Sequence, residues 1–556
     1  MASGAPSTEL KTTDPSEIPG IVSKLRDSFN SKITLSKQWR LQQLHQLEKL
    51  LKEGEEELSK AMYTDLHRSR FESYFIELNI VTHEIHTAIE NLDEWMKPEV
   101  KPTNLQNLPG KSFVQRDPLG VVLIMSPWNY PVQLLLAPLV GALAAGNTVL
   151  LRPASYTKNV SAALARLVAK YFDPSVVAIV TGDRDVTTSV LKERYDYIFF
   201  TGGPTLGRVV HQAANKHLTP VTLELGGKSP SYVDKSVDVD ICAKRLTWAT
   251  FVNAGQTCVR PDYLLVHEAV ADEFIAAIVK YTRKFYADCP KADPNEYALS
   301  PAERAVAAEI KHEAGQTPYF GRIVDGGDAI DRLANILKQD ASYIIEGGAV
   351  DKSKRFISPT LLKFGANRHA FENSAAMQAE IFGPILPILT VKSPEEAIAL
   401  IRSREKPLAL YCFSNDSSVV KRFLRETTSG SVAINDAIVQ LANHELPFGG
   451  VGLSGMGAYH GRYSFETFSH QKAVMWKSTT ADIAHRYPPY TEFGRKLIKL
   501  TGKPISRSTI RAVATVAAVT AAFLARNRAQ DAVAALVPHI PKILPVIAAI
   551  AAYRWF

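Results

Sequence analysis

Cysteine is scarce: four residues in 556, Cys242, Cys258, Cys289 and Cys412, with no CxxC pair among them. That excludes a disulfide framework and offers no zinc-ligand spacing, so a reducing, intracellular setting is expected and no metal site. Residues 1–20 lack an apolar stretch behind a basic start and are rich in Ser, Thr and Pro, so they read as a disordered leader and not as a secretory signal. Long hydrophobic runs are missing too. The apolar segments of the tail, 512–525 and 543–553, hold 14 and 11 residues. As helices they reach roughly 21 and 17 Å, short of the about 30 Å of a bilayer core. Excess charge is confined: of the net +8, +6 lies beyond residue 500, where seven Lys/Arg face Asp531 alone. The nearly neutral body excludes nucleic acid as its partner, and the basic tail fits a membrane surface.

What is present is ordinary for a globular chain: 46% hydrophobic and 22% charged residues, long enough for about three structural units. Over 21–95 the spacing is helical, with Leu41, Leu44, Leu47, Leu50 and Leu51 on one face, then Phe71, Phe75, Leu78 and Val81. A stretch rich in Pro, Asn and Lys, 98–118, breaks that pattern and predicts an extended arm. After it, strand-like runs at 121–125, 148–151, 176–180, 197–200 and 221–223 alternate with helical segments at 132–145, 159–171 and 206–215. A second alternating series covers 229–431. Buried strands separated by helices mean parallel sheets, so the fold class is α/β.

Three motifs carry chemistry. Phe199-Phe200-Thr201-Gly202-Gly203-Pro204-Thr205-Leu206-Gly207 is a strand entering a Gly-rich turn and a helix. Such a junction presents backbone N–H groups to a phosphate, although its spacing is neither GxGxxG nor Walker A, and a plain tight turn reads equally well. Glu224-Leu225-Gly226-Gly227-Lys228 puts a carboxylate at a strand end, where open α/β sheets hold ligands; the bland alternative is an ion pair with Lys228. Asn253-Ala254-Gly255-Gln256-Thr257-Cys258 places a thiol in a polar turn, either a nucleophile or an inert buried cysteine.

In this order, with Cys258 34 residues after Glu224, the three motifs resemble the aldehyde dehydrogenase superfamily. Ser126-Pro127-Trp128-Asn129-Tyr130-Pro131, Glu380-Ile381-Phe382-Gly383-Pro384 and Pro447-Phe448-Gly449-Gly450 resemble its oxyanion, nicotinamide and substrate-side segments. Gly457-Ala458-Tyr459-His460-Gly461, Phe320-Gly321-Arg322-Ile323 and Ser469-His470-Gln471-Lys472 are similar to its family-3 branch, which includes fatty aldehyde dehydrogenases. The resemblance implies a Rossmann-like NAD(P)-binding domain from 21–97 and 119–223, and an α/β catalytic domain over 224–430. It also implies bridging and oligomerisation segments at 98–118 and 431–477, with a small β arm, and a helical tail over 478–556. It assigns Cys258 as nucleophile, Glu224 as base for thioester hydrolysis and Asn129 as oxyanion donor. The cofactor, NAD or NADP, is assigned to Arg152, Ser155, Thr201, Gly202, Gly203, Gly207, Glu380 and Phe382.

One departure concerns the adenosine ribose. Where the family usually shows Lys-Pro-Ser-Glu, this chain has Arg152-Pro153-Ala154-Ser155, which removes the carboxylate that repels a 2′-phosphate and predicts tolerance of NADP. The expected substrate is a small apolar aldehyde: a long-chain aliphatic one, or alternatively an apocarotenal or aromatic one. Retention of Cys258, Glu224 and Asn129 argues against a non-catalytic binding protein on the same scaffold, and Glu224 argues against transfer to coenzyme A. A homodimer is expected from the resemblance. The tail segments 510–525 and 543–553 are expected to associate with a membrane, by spanning, re-entering or lying on it, with the catalytic body in the cytosol.

Overall fold

A computed structural model describes residues 10–107, 110–286, 319–479, 482 and 484–501. The chain divides into two units, 1–95 with 117–470, and 96–116 with 471–556. The tail segments 510–525 and 543–553, and the first nine residues of the expected leader, lie outside the described residues. From residue 10 the leader departs from expectation. Thr13 N–H bonds the Thr181 carbonyl at 2.8 Å, Thr181 Oγ1 donates to Lys11 O at 2.6 Å, and Asp14 caps a 3₁₀ turn that runs into the helix Ile18–Asn30. Polar composition hid an ordered segment because its bonds are to backbone far away in sequence.

Strands follow the N-terminal helices Lys37–Leu66 and Asn79–Met96. The predicted arm is β1 (Glu99–Lys101) paired antiparallel with β2 (Lys111–Pro118). Then come β3 (Val121–Met125), β4 (Thr148–Arg152), β5 (Val177–Ile179), β6 (Tyr197–Thr201) and β7 (Val221–Glu224). The second series is β8 (Pro230–Val233), β9 (Tyr263–His267), β10 (Ile344–Glu346), the small hairpin β11 (Val350–Asp351) and β12 (Phe356–Ile357), β13 (Thr360–Lys363), β14 (Ile385–Val391), β15 (Ala409–Phe413) and β16 (Ser431–Ile434). Two more strands follow, β17 (Gly455–Met456) and β18 (Ser469–Trp476), before the helix Glu492–Thr501.

The first sheet runs β17-β7-β6-β3-β4-β5, its five long-range strands parallel and only β17 antiparallel. In chain order that is the 3-2-1-4-5 arrangement of a dinucleotide-binding half, with the switch point between β3 and β6. One face, built from Val121, Leu123, Met125, Ile198 and Phe200, packs on Ile18, Val22 and Leu25 of the first helix. Burying those three helix side chains contributes roughly 5–8 kcal/mol. The helix Gln133–Ala145 is buried along its whole length.

The second sheet runs β10-β13-β14-β9-β8-β15-β16, parallel except for β10. Within 431–477, expected as a bridging and oligomerisation segment, β16 extends the second sheet, β17 pairs with β7 and β18 joins β2. The three-stranded sheet β1-β2-β18 is the small β arm.

Candidate active site

The C-terminal ends of β3, β6 and β7 deliver Asn129, the Thr201-Gly202-Gly203 turn and Glu224 to one cleft. Gly203 caps the helix Pro204–Asn215 with Pro204 in its first turn, and Gly202 N–H is held by the Glu224 carbonyl at 3.0 Å. A Cβ on Gly203 meets nothing within 4 Å, so this helix start is open to a ligand. Gly207, one turn on, packs so closely that a Cβ would sit 2.7 Å from Leu225. Thr201 is buried with an unpartnered Oγ1 and lines the cleft.

Cys258 is positioned by strained backbone. After the helix Val239–Phe251, Asn253, Ala254 and Gly255 all take left-handed conformations, with φ of 53°, 52° and 71°. For the two non-glycines this costs about 1–3 kcal/mol each, so the surroundings must hold the turn. Glu72 accepts Asn253 N–H at 2.9 Å, and Arg68 donates to Asn253 Oδ1 at 2.9 Å. Gln256 is bonded by Val324 N–H at 2.9 Å and donates to Arg322 O at 2.9 Å. Half-buried Cys258 then faces two cavities that meet at its side chain and at Glu224. Burial, with Glu380 and Glu224 nearby, pushes its thiol up to about 12, against the pull of the Cys258 and Val259 N–H groups. The resting group is a thiol.

Glu224 is buried, neither carboxylate oxygen has a partner, and burial holds its pKa well above the usual carboxylate range. The ion pair with Lys228 does not form. Lys228 binds Asp262 instead and donates to the carbonyls of Ala376 and Ala379 at 2.7 and 2.9 Å. An unpaired, desolvated carboxyl beside a thiol is the arrangement of a general base.

Asn129 is fixed from both ends. Its carbonyl accepts from Arg68 at 2.5 Å and from Asn253 Nδ2 at 2.9 Å, and its own Nδ2 donates to Gln256 O at 3.0 Å. One of its two amide hydrogens is thereby committed and the other is left to the cleft. Arg68 in turn pairs with Glu77, both fully buried, and Glu77 accepts Val132 and Gln133 N–H at 2.7 and 2.8 Å. Sequence reasoning missed this hub. Arg68, Glu72 and Glu77 sit in helical spacing where charge reads as a solvated face.

On the cofactor side Glu380 and Phe382 line the cleft with Pro127 and Trp128; Phe382 meets Trp128 edge to face at 5.4 Å. Burial and neighbouring Asp262 push the Glu380 carboxyl up to about 8, against the Gly227 N–H and the cations Lys228 and Arg260. A Cβ on Gly226 would lie 2.0 Å from Glu380 Oε2. Gly226→Ala is therefore expected to displace Glu380 and raise the cofactor KM at least about tenfold, with a smaller change in kcat; initial rates at varied cofactor check it.

Three expected cofactor residues, Gly207, Arg152 and Ser155, are not among those lining this cleft. The Arg152 guanidinium is turned into the protein, donating to Gly182 O at 2.7 Å, Asp183 O at 3.2 Å and Thr187 Oγ1 at 3.0 Å. It braces the loop after β5 and does not line the cleft. Ser155 is half-buried at the end of β4 and is not among the cleft-lining residues.

The second cavity is apolar, walled by Phe75, Ile76, Trp248, Leu408, Val439 and Phe448, and ends at Cys258. A half-buried thiol, an unpaired carboxyl, an amide donor and a dinucleotide-type cleft thus meet at one point.

The aldehyde dehydrogenase family model matches residues 2–318 and 323–474, and the chain belongs to that family. It is an oxidoreductase that oxidises aldehydes with NAD or NADP, and the open Gly203 turn, the orphan Thr201 hydroxyl and Glu380 fit that cofactor. Among its relatives are family-3 members. The human aldehyde dehydrogenase family 3 member B1 is 44% identical over 84% of this chain and 93% of its own length. The rat dimeric NADP-preferring aldehyde dehydrogenase is 41% identical over 85% and 98%. The 4,4'-diaponeurosporen-aldehyde dehydrogenase of Staphylococcus aureus is 42% identical over 83% and 94%. A substrate-bound structure of Staphylococcus aureus AldH is similar with a TM-score of 0.79 and 41% identity, covering 87% of this chain and 99% of that one.

Proposed function

We propose that the enzyme oxidises long-chain aliphatic aldehydes to carboxylic acids. The observation that carries this is the apolar cavity ending at Cys258, whose walls offer a hydrocarbon chain burial and few polar partners. The Cys258 sulfur bonds the aldehyde carbon while its proton passes to Glu224. The oxyanion is met by the free Asn129 amide hydrogen and the Cys258 N–H, each such donor contributing about 3–4 kcal/mol to the barrier. Bound NAD(P) supplies the acceptor for the hydride that leaves the tetrahedral carbon. A thioester remains on Cys258. Glu224 releases the first proton to solvent, then takes a proton from water as the hydroxide attacks; the S–C bond breaks, Glu224 returns that proton to the departing sulfur, and free acid leaves with the thiol restored.

A second reading has one specific support. Similarity to the diaponeurosporen-aldehyde enzyme favours a conjugated apocarotenal, whose apolar chain suits the same cavity. Ser155 brings no negative charge to the end of β4 to repel a 2′-phosphate, and Arg152 is committed elsewhere. NADP is therefore accepted beside NAD, with kcat/KM values within about a thousandfold of each other. Turnover of straight-chain and polyene aldehydes of graded length with both cofactors tests these points. The long-chain reading requires kcat/KM to rise with chain length. A flat profile, or activity limited to polyenes, removes it. The homodimer, the cytosolic orientation and membrane association through the tail belong to the same proposal; the dimeric name of the rat relative supports the first, and the basic, apolar tail the others.

A further inference from the structure

The apolar cavity opens beside a second, larger hollow. Phe75, Ile76, Trp248 and Val439 line both, so whatever enters the cavity by this side first crosses the outer groove. Its surface departs from an ordinary solvated one in two ways. The first is exposed apolar bulk. Phe71 is 62% exposed and stacks on half-exposed Phe75 at 5.9 Å, while Ile241 and Val439 are 47% and 46% exposed. Side chains of this size, gathered around one opening, are a costly patch to leave in water.

The second is charge of one sign. Lys244, Arg245, Lys280 and Lys284 all line the groove. The acids that face them are few. Asp436 is 3.4 Å from Arg245, and Asp240, just outside, binds Lys280 at 2.8 Å and also feels Lys244 electrostatically. Glu72 lines the groove half-buried, with desolvation raising its carboxyl against the pull of Arg68 and the Asn253 N–H. Lys244 and Lys284 are exposed and have no acidic partner within 4 Å among the described residues. The groove is therefore net positive.

We infer that this face docks on an anionic bilayer surface, with the groove against the headgroups and the apolar cavity opening into the lipid. Exposed aromatics ringed by lysines match the amphipathic chemistry of a lipid interface, where apolar side chains sink to the acyl boundary and each cation gains from anionic lipid. The arrangement lets an aldehyde dissolved in lipid reach Cys258 without crossing water. It rests on the long-chain reading above, but on residues of the catalytic body alone and not on the tail.

The test uses the full-length chain and its Lys244→Glu/Lys284→Glu variant. A long-chain alkanal is presented in phosphatidylcholine vesicles with or without phosphatidylserine, and a short, water-soluble aldehyde is assayed alongside. The expected result is a loss of at least about tenfold in long-chain kcat/KM on phosphatidylserine vesicles, with turnover on pure phosphatidylcholine and of the short aldehyde within twofold of the unmodified enzyme. Equal rates for the two proteins on phosphatidylserine vesicles overturn the inference, because the tail alone then accounts for membrane delivery. Equal losses on both vesicle types overturn it as well, because the lysines then act on the catalytic body or on the substrate. Failure of the long-chain reading looks different: the unmodified enzyme itself then shows no preference for the longer substrate in any vesicle.

Discussion

Cys258→Ser is expected to lower steady aldehyde oxidation at least about ten-thousandfold while the protein stays folded and still binds its cofactor. The change removes the only side chain at the meeting point of the two cavities able to act as a strong nucleophile among the described residues. A serine hydroxyl is a far weaker nucleophile than a thiolate and gives up its proton much less readily, so Glu224 does not activate it comparably. The oxyanion donors remain, so the loss measures nucleophilicity and not the collapse of the site. Cys242 and Cys412, the other described cysteines, are buried away from both cavities and do not substitute. Activity assays paired with thermal unfolding and cofactor titration read this out.

Glu224→Gln separates the two halves of the reaction. Bonding of the sulfur to the aldehyde and loss of the hydride still occur, slowly, with solvent taking the thiol proton. Hydrolysis loses its base and falls about 10²–10⁴-fold. A rapid-quench trace then shows close to one equivalent of reduced cofactor per site followed by a stalled steady state. The sign of the pH effect follows from burial. Glu224 is pushed well above the usual carboxylate range, so its ionised, proton-accepting fraction grows as pH rises toward that value. In the unmodified enzyme steady turnover therefore increases with pH over the neutral range. In the glutamine variant that limb is lost.

How much of this was legible in the sequence follows the range of the interactions involved. Strands β3, β4, β6 and β7 were readable as apolar runs because both sheet faces are covered, and the Gly-rich turn after β6 announced a helix start by composition alone. The proximity of Cys258 and Glu224 was not in their spacing; it came from resemblance, and in the structure both line the same two cavities. The hub of Arg68, Glu72 and Glu77 joins segments as far as 185 residues apart, such as Arg68 and Asn253, and no local pattern marks such a bond. The partners of Lys228 and Arg152 were hidden for the same reason. Each is next in sequence to a functional residue or motif, yet each is spent on Asp262 or on the loop after β5. The docking of residues 11–13 on Thr181 was hidden by polar composition, which describes side chains while the bonds are mostly made by backbone.

The account turns on a covalent bond between Cys258 Sγ and the substrate carbon. Mass spectrometry of peptides from Glu224→Gln enzyme, quenched after one turnover with a long-chain aldehyde and cofactor, tests it most directly. The expected result is the peptide containing Cys258 heavier by one acyl group, in proportion to the reduced cofactor formed, and absent from Cys258→Ser enzyme. Reduced cofactor formed in full with an unmodified Cys258 peptide, or with the acyl group on Cys242 or Cys412, contradicts it.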